Sequence, residues 1–204
     1  MTREIANILL DLNAVKLSPN EPFTWTSGIQ SPIYCDNRQI LSDIKAHRQV
    51  IDHLKTTLLN GTDLNEIDVI AGTATAGIPH ATLLADRLDR PSAYVRSSKK
   101  AHGTARQIEG ADVEGKNVVL VEDLISTGGS SIKALEALKE NGANVVTVLA
   151  IFTYGIEGVR EKFTDLGYNL EILLNLDELL ECALDKGTID QSGVDIVKNF
   201  RDSL

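Results

Sequence analysis

Short, mainly apolar runs alternate with amphipathic helical segments along most of the chain. The apolar runs lie at about 68–71, 92–95, 117–121, 144–152 and 169–173. Strands that are hydrophobic on both sides and separated by helices form parallel sheets covered on both faces. We therefore predict an α/β fold with a largely parallel, twisted sheet flanked by helices. Ligands of such sheets bind at the carboxyl ends of the strands.

The length and net charge of the chain argue against several classes of protein. The 204 residues suit a single domain, and 20 basic against 29 acidic residues give a formal net charge of −9. A surface this acidic argues against nucleic acid as a partner. The two cysteines, Cys35 and Cys182, form no disulfide framework or zinc pattern. We found no signal peptide and no membrane-spanning run, so we predict a cytoplasmic protein without a membrane partner.

The strongest functional signal is the segment Val118–Ser130, with the sequence VVLVEDLISTGGS. Here a buried strand ends in Glu122 and Asp123, and the small-residue loop 126–130 leads into a helix. Backbone amides, hydroxyls and a helix N-terminus are the elements of a phosphate site, although the lysine and the spacing of a P-loop are missing. The two carboxylates would repel a phosphate unless they faced sugar hydroxyls or a metal. We therefore predict a sugar phosphate as the ligand.

This segment resembles the phosphoribosyl-diphosphate (PRPP) signature of the type I phosphoribosyltransferases. The resemblance implies the fold of that family, a single domain over 1–204 with a small N-terminal hood at about 16–40. It implies that Glu122 and Asp123 bind the ribose hydroxyls, with Asp123 a catalytic residue, and that 126–130 hold the 5′-phosphate. The PRPP-binding residues that it implies are Arg96, Lys100, His102, Glu122, Asp123, Leu124, Ile125, Ser126, Thr127, Gly128, Gly129 and Ser130.

A second resemblance concerns the N-terminal region. The segments Phe23–Gly28 and Ser31–Arg38 are similar to the N-terminal motif of the orotate phosphoribosyltransferases, in which they form a hood over the base. Tyr34 matches the aromatic residue that packs on the pyrimidine, and Ser126 is the other orotate-binding residue implied. The structural alternative for this segment is a core hairpin with a buried aromatic residue.

Two further segments resemble parts of that family. The segment Val69–Pro79 is similar to its diphosphate loop, in which small residues at the end of a strand let backbone amides approach a diphosphate closely. The polar stretch 97–110 is similar to its mobile catalytic loop, in which Lys100 and His102 would be catalytic. Basic residues gather in and next to this stretch of an acidic chain, at Arg96, Lys99, Lys100 and Arg106.

The chain departs from the family pattern at two places. Ser97 stands where many relatives have a second lysine, for which Lys99 is the available substitute. After the fourth strand the chain reads Thr153–Gly155 where many relatives have an arginine that helps to bind orotate. Lys16 is our candidate for the partner of the orotate carboxylate.

The resemblance implies transfer of a phosphoribosyl group from PRPP to orotate, a step of pyrimidine biosynthesis. It also implies Mg²⁺ as cofactor, held mainly by PRPP rather than by protein side chains, and a homodimer whose loop residues reach the neighbouring site. Three alternatives remain open at this point: specificity for another base, a non-catalytic regulator that binds PRPP, and a generic sugar-phosphate-binding module.

Overall fold

The computed structural model of the chain describes residues 2–25, 28–98 and 107–204. Within these ranges every helix is too short or too polar to cross a bilayer. The α-helices are α1 (Thr2–Asp11), α2 (Ile44–Gly61), α3 (Gly77–Leu88), α4 (Gly129–Glu140), α5 (Val159–Asp165), α6 (Leu176–Asp185) and α7 (Gln191–Asp202). Short 3₁₀ helices lie at Asn37–Ser42 and Leu64–Glu66. The strands are β1 (Val15–Leu17), β2 (Phe23–Thr24), β3 (Gln30–Ser31), β4 (Ile33–Cys35), β5 (Val69–Thr73), β6 (Ser92–Val95), β7 (Ile108–Gly110), β8 (Asn117–Ile125), β9 (Asn144–Thr153) and β10 (Leu170–Asn175).

Six of these strands form the central sheet, in the order β10-β9-β8-β5-β6-β7. All neighbours pair in parallel except β6 and β7, which are antiparallel. Two small antiparallel pairs, β1 with β4 and β2 with β3, lie outside this sheet. The predicted α/β class with a largely parallel sheet is confirmed, and it matches the type I phosphoribosyltransferase fold.

Alternation along β8 shows why both faces of the sheet are covered. Val119 and Val121 are buried in one core cluster, which also contains the apolar faces of α1, α2, α3 and α6. Val118 and Leu120 are buried in a second cluster on the opposite face, with residues of α4 and α5. Successive side chains of a strand point to opposite faces, so a continuous run of apolar residues stabilises both layers.

The structure corrects three boundaries of the sequence interpretation. β8 runs through to Ile125, so Glu122 and Asp123 lie inside the strand rather than after it. The strand Ile108–Gly110 pairs with β6 inside the segment that we had assigned to a loop at 97–110. The helical spacing of apolar residues predicts a first helix over 2–15, but this helix ends at Asp11, because the following residues turn into β1 and pair with β4.

Two glycines let α3 start directly against the sheet. A Cβ atom on Gly77 would lie 2.6 Å from the Val121 carbonyl oxygen, and one on Gly72 would lie 2.8 Å from the Gly77 carbonyl oxygen. Both separations are far below van der Waals contact, so only glycine fits without movement of the backbone. The small-residue turn between β5 and α3 is thereby held next to β8.

Candidate functional site

The predicted site residues that the structure describes converge at the carboxyl edge of the sheet. β5, β6 and β8 are adjacent parallel strands, so the turn after Thr73, the residue Arg96 and the loop after Ile125 share this edge. The Ala74 amide donates to the Val95 carbonyl at 2.8 Å, which fixes the turn beside Arg96. The peptide bond between Ala74 and Thr75 is cis. Parallel sheets bind their ligands at this carboxyl edge.

Glu122 and Asp123 differ in their surroundings. Glu122 is only 4% exposed, and its Oε2 accepts a hydrogen bond from the Ser131 hydroxyl at 2.8 Å. Its Oε1 accepts from the Asp123 amide at 3.2 Å. Asp123 is less deeply buried, and its carbonyl oxygen accepts from Asn37 Nδ2 at 2.6 Å. The acid pair is thus held from the helix side by Ser131 and from the N-terminal side by Asn37.

Burial also changes the ionisation of the acid pair. Burial, together with the charge of the neighbouring Asp123, raises the pKa of Glu122 to about 8. The pKa of Asp123 is raised as well, mainly by burial. Two carboxyl groups this close cannot both ionise easily, because the charged forms repel each other in a poorly solvated place. At neutral pH we therefore expect Glu122 to retain a proton, which reduces the repulsion between this pair and a bound phosphate.

The loop after β8 has the geometry of an anion site. Gly128 adopts a φ of +80° and directly precedes α4. A Cβ atom on Gly128 would also lie 3.0 Å from Phe163 Cε2, so a larger residue would be strained there. Thr127, Gly129 and Ser130 are exposed. The first turn of a helix leaves backbone amides without partners inside the helix, and its dipole favours negative charge.

The hood residues lie beside this edge. Tyr34 is 39% exposed, and its ring centroid is 5.8 Å from that of Phe23. Lys16 is directly opposite Tyr34 in the β1–β4 ladder, so the two side chains share a face. Arg38 forms two hydrogen bonds with Asp36, at 2.6 and 3.0 Å. The hydrogen bond with Asp36 and the charge of Asp36 raise the pKa of Arg38, and the charge of Asp123 makes a smaller contribution in the same direction.

Part of the predicted diphosphate-binding machinery is described and part is not. The Arg96 amide donates to the Gln107 carbonyl at 2.9 Å, so the two ends of the undescribed segment are joined. The Arg96 guanidinium is 3.6 Å from a carboxylate oxygen of Glu109 on β7. Lys100 and His102, together with Lys99, lie outside the described residues.

In the segment that stands where many relatives have an arginine, Tyr154 packs on another aromatic side chain. Tyr154 is 4% exposed, and its ring stacks on Trp25 with centroids 6.2 Å apart and planes at 22°. Its amide donates to the Ile125 carbonyl at 3.3 Å, and the Thr153 hydroxyl donates to the same carbonyl at 2.8 Å. The end of β9 is therefore tied to the start of the phosphate loop.

The sequence interpretation gave no role to three polar residues at this edge. Ser131 lies one residue beyond the predicted loop, and its position in the first turn of α4 was the available signal. Asn37 lies within the hood motif and is fully buried, although its two charged sequence neighbours gave no indication of burial. The buried hydroxyl of Thr73 has no hydrogen-bond partner among the residues that the structure describes. A buried polar group of this kind is a candidate contact for a bound ligand.

Comparisons with known proteins agree with this geometry. The family model of the phosphoribosyl transferase domain matches residues 38–172. The orotate phosphoribosyltransferase of Staphylococcus haemolyticus (strain JCSC1435) is 48% identical over 204 residues, which cover 100% of both chains. That of Listeria monocytogenes serovar 1/2a is 49% identical over 199 residues, 98% of this chain and 94% of the relative.

A solved structure gives the same result. The orotate phosphoribosyltransferase of Aeropyrum pernix is 34% identical, covers 91% of this chain and 99% of its own, and superposes with a TM-score of 0.76. The hood motif, the acid pair and the phosphate loop thus occur together in a chain that aligns with such enzymes from end to end. This chain belongs to the orotate phosphoribosyltransferase family.

Proposed function

We propose that this chain transfers the 5-phosphoribosyl group from PRPP to orotate, in pyrimidine biosynthesis. A bond forms between orotate N1 and ribose C1, the bond from C1 to the diphosphate oxygen breaks, and diphosphate leaves with the electron pair. The observation that carries this proposal is the buried acid pair followed by an amide-rich loop, in a chain 48% identical over its full length to an orotate phosphoribosyltransferase. The products are orotidine 5′-monophosphate and diphosphate.

The phosphoribosyl end of the substrate binds at β8 and its loop. Residues 126–130 hold the 5′-phosphate through backbone amides and hydroxyls. Leu124 and Ile125, just before this loop, complete the set of residues around the phosphoribosyl group. Asp123 and Glu122 accept hydrogen bonds from the ribose hydroxyls. Ser131 supports this geometry, because it fixes one oxygen of Glu122 at 2.8 Å. A sugar held in this way is oriented before the reaction begins, which removes part of the entropic barrier.

The leaving diphosphate binds across the turn 73–77 and the loop 97–110. Arg96 exchanges its 3.6 Å contact with Glu109 for the diphosphate when substrate arrives. Lys100 and His102 stabilise the charge that develops on the leaving group, and one of them supplies a proton to it. Closure of the loop excludes water, which would otherwise hydrolyse the activated sugar.

Mg²⁺ fits this site as an ion that arrives with PRPP. Both carboxylate oxygens of Glu122 already accept hydrogen bonds, from Ser131 and from the Asp123 amide. In the described ranges no three side chains of the types His, Cys, Asp and Glu gather to hold a metal. Magnesium often keeps several waters and binds substrate phosphates rather than an all-protein cage. When bound, the ion neutralises negative charge on the diphosphate.

The base binds under the hood. The Tyr34 ring packs on the pyrimidine and Ser126 contacts it from the phosphate loop. Lys16 lies opposite Tyr34 in the β1–β4 ladder, so it supplies a cation on the same side of the ladder as the Tyr34 ring. It is the candidate partner for the orotate carboxylate in a chain without the usual arginine. Orotate N1 is a modest nucleophile once it is ionised, so the reaction needs no covalent intermediate on the protein.

We expect the working unit to be a cytoplasmic homodimer in which loop residues of one subunit reach the site of its partner. In this arrangement the domain 1–204, with its hood at 16–40, supplies one complete site only together with the partner's loop. Sedimentation of the purified chain at several concentrations tests the dimer. A monomer with full activity contradicts it.

One experiment tests the reaction itself. The purified chain is mixed with PRPP, Mg²⁺ and, separately, orotate, uracil, hypoxanthine or adenine. We expect orotate absorbance to fall and the other bases to remain unchanged. Turnover of another base would reassign the specificity, and binding of PRPP without turnover of any base would make the chain a regulator instead.

A further inference from the structure

The C-terminal helix α7 packs against the hood through one face. Gly193, Val197 and Phe200 are spaced so that they share this face, and Val197 is fully buried. A Cβ atom on Gly193 would lie 2.9 Å from Pro19 Cγ, so the glycine allows the start of the hood to approach the helix. At the other end of the face, the Phe200 ring meets the Trp25 ring edge-on, with centroids 5.6 Å apart and planes at 86°.

An adjacent side of α7 is fixed to helix α6. Asp177, in the first turn of α6, accepts from Arg201 at 2.7 Å and lies 3.0 Å from Lys198 Nζ. The Arg201 side chain is only 15% exposed, so this contact is better shielded from solvent than most surface ion pairs. Helix α7 is therefore anchored on α6, independently of its contact with the hood.

Trp25 connects helix α7 to the aromatic residues near the proposed base site. One of its neighbours is Phe200, and another is Tyr154, which stacks on it at the end of β9. Two residues before Trp25, Phe23 packs on Tyr34 with ring centroids 5.8 Å apart. Two aromatic contacts, Phe200 with Trp25 and Phe23 with Tyr34, are thus joined through the backbone of residues 23–25. Together they connect the C-terminal helix to the ring proposed to cover the pyrimidine.

We propose that α7 is a strut that holds the hood in position over the base, with Trp25 and Phe200 as positioning residues for orotate. The inference rests on the proposed function, since it assigns the hood to orotate. The strut acts through Tyr34 and touches no reacting atom. Its contact with the hood runs through Trp25 and Phe23, so we expect its loss to affect orotate more strongly than PRPP.

The test compares four full-length proteins: wild type, Phe200→Leu, Phe200→Tyr and Asn199→Ala. Leucine keeps an apolar side chain but removes the ring, and tyrosine keeps the ring. Asn199 is an exposed neighbour on the solvent side of α7 and is the matched control. Because Trp25 is the only tryptophan of the chain, its fluorescence emission reports on the Phe200 contact without any measurement of activity.

We expect Phe200→Leu to raise KM for orotate about fivefold, as for the loss of one aromatic pair. Its KM for PRPP and its kcat should stay within about twofold of wild type. Its Trp25 emission should move to longer wavelength, whereas Phe200→Tyr and Asn199→Ala should match wild type in every respect.

Two results would overturn the strut: a shifted Trp25 emission with an unchanged KM for orotate, or an equal rise of KM for both substrates. A wild-type protein that does not convert orotate gives a separate outcome. It would refute the proposed function and, with it, the role of the strut.

Discussion

The proposed phosphoribosyl end and the proposed base end of the site are built in opposite ways. The first comes from one continuous segment, Glu122–Ser131, whose acid pair lies in a central strand between two core clusters. The second is assembled from Tyr34, Trp25, Tyr154 and Phe200, which are far apart in sequence. Glu122 is 4% exposed whereas Tyr34 is 39% exposed. A proposed sugar-phosphate site built from one segment of the chain is thus combined with a proposed base site that depends on packing between distant segments.

This difference predicts separable effects on the two substrates. Changes near β8 should alter the use of PRPP, and changes in the aromatic contacts should alter the use of orotate. A change that affected both KM values equally would show that the two ends are not independent.

Lys100→Ala tests the loop that belongs to neither end. We expect kcat to fall about 100- to 1,000-fold with much smaller changes in the KM values, because the lysine stabilises charge that develops on the departing diphosphate. Steady-state kinetics with both substrates measure this, and Lys139→Ala on α4 is the control. Equal losses in kcat and in nucleotide binding would show that the loop is only a binding surface.

Asp123→Asn tests the phosphoribosyl end. The variant keeps the size of the side chain but loses the charged acceptor for the ribose hydroxyls, so kcat/KM for PRPP should fall about 100-fold. The fold should survive, which circular dichroism checks. Asp165→Asn, an exposed carboxylate at the end of α5, is the matched control. Unchanged PRPP kinetics would remove the ribose assignment.

Tyr34→Leu tests the base end. Loss of the ring over the pyrimidine should raise KM for orotate about five- to tenfold and leave KM for PRPP nearly unchanged. Tyr34→Phe keeps the ring and should behave as wild type. If Tyr34→Leu raised only KM for PRPP, Tyr34 would belong to the other end of the site.

Glu122→Gln tests the ionisation of the buried acid through the pH dependence of the free energy of unfolding. The folded protein holds the pKa of Glu122 at about 8, above its ordinary value of 4.5, so ionisation of this group opposes folding as pH rises between those values. Glutamine has no charge to lose, so the variant should become progressively more stable than wild type from pH 5 to 8, by about 1 kcal/mol per pH unit at most. Urea unfolding at several pH values measures this, with the exposed Glu161→Gln as control.

A stability difference that did not change with pH would mean that Glu122 is ionised in the folded protein. Activity of Glu122→Gln should nevertheless fall, since the residue serves the ribose and not the fold. Higher stability with lower activity would thus mark Glu122 as a functional residue placed in the core.

The phosphoribosyl end was predictable from sequence because its parts are neighbours in the chain. The strand, the acid pair and the small-residue loop appear in order, and the apolar periodicity fixed which strand carries them. The sequence predicted too early an end for β8, because Glu122 and Asp123 are acidic. In the structure, burial and the pairing of β8 with β9 keep both residues in the strand.

The base end was only partly predictable. The motif around Tyr34 identified the hood, but nothing in the sequence near Trp25 indicates that Tyr154 and Phe200 pack on it. Contacts between such distant positions depend on how α7 docks on α6. There Val194 and Val197 share a core cluster with the apolar residues of α6, and Asp177 pairs with Lys198 and Arg201. Local patterns carry no information about that docking.

The central claim is that the acid pair and the loop after it hold one phosphorylated pentose while the hood holds the base. A crystal structure of the protein with bound orotidine 5′-monophosphate tests it most directly. We predict the phosphate on the amides of 126–130, the ribose hydroxyls on Asp123 and Glu122, and the pyrimidine against Tyr34. A nucleotide bound with its phosphate away from this loop and its ribose away from both acids would contradict the account.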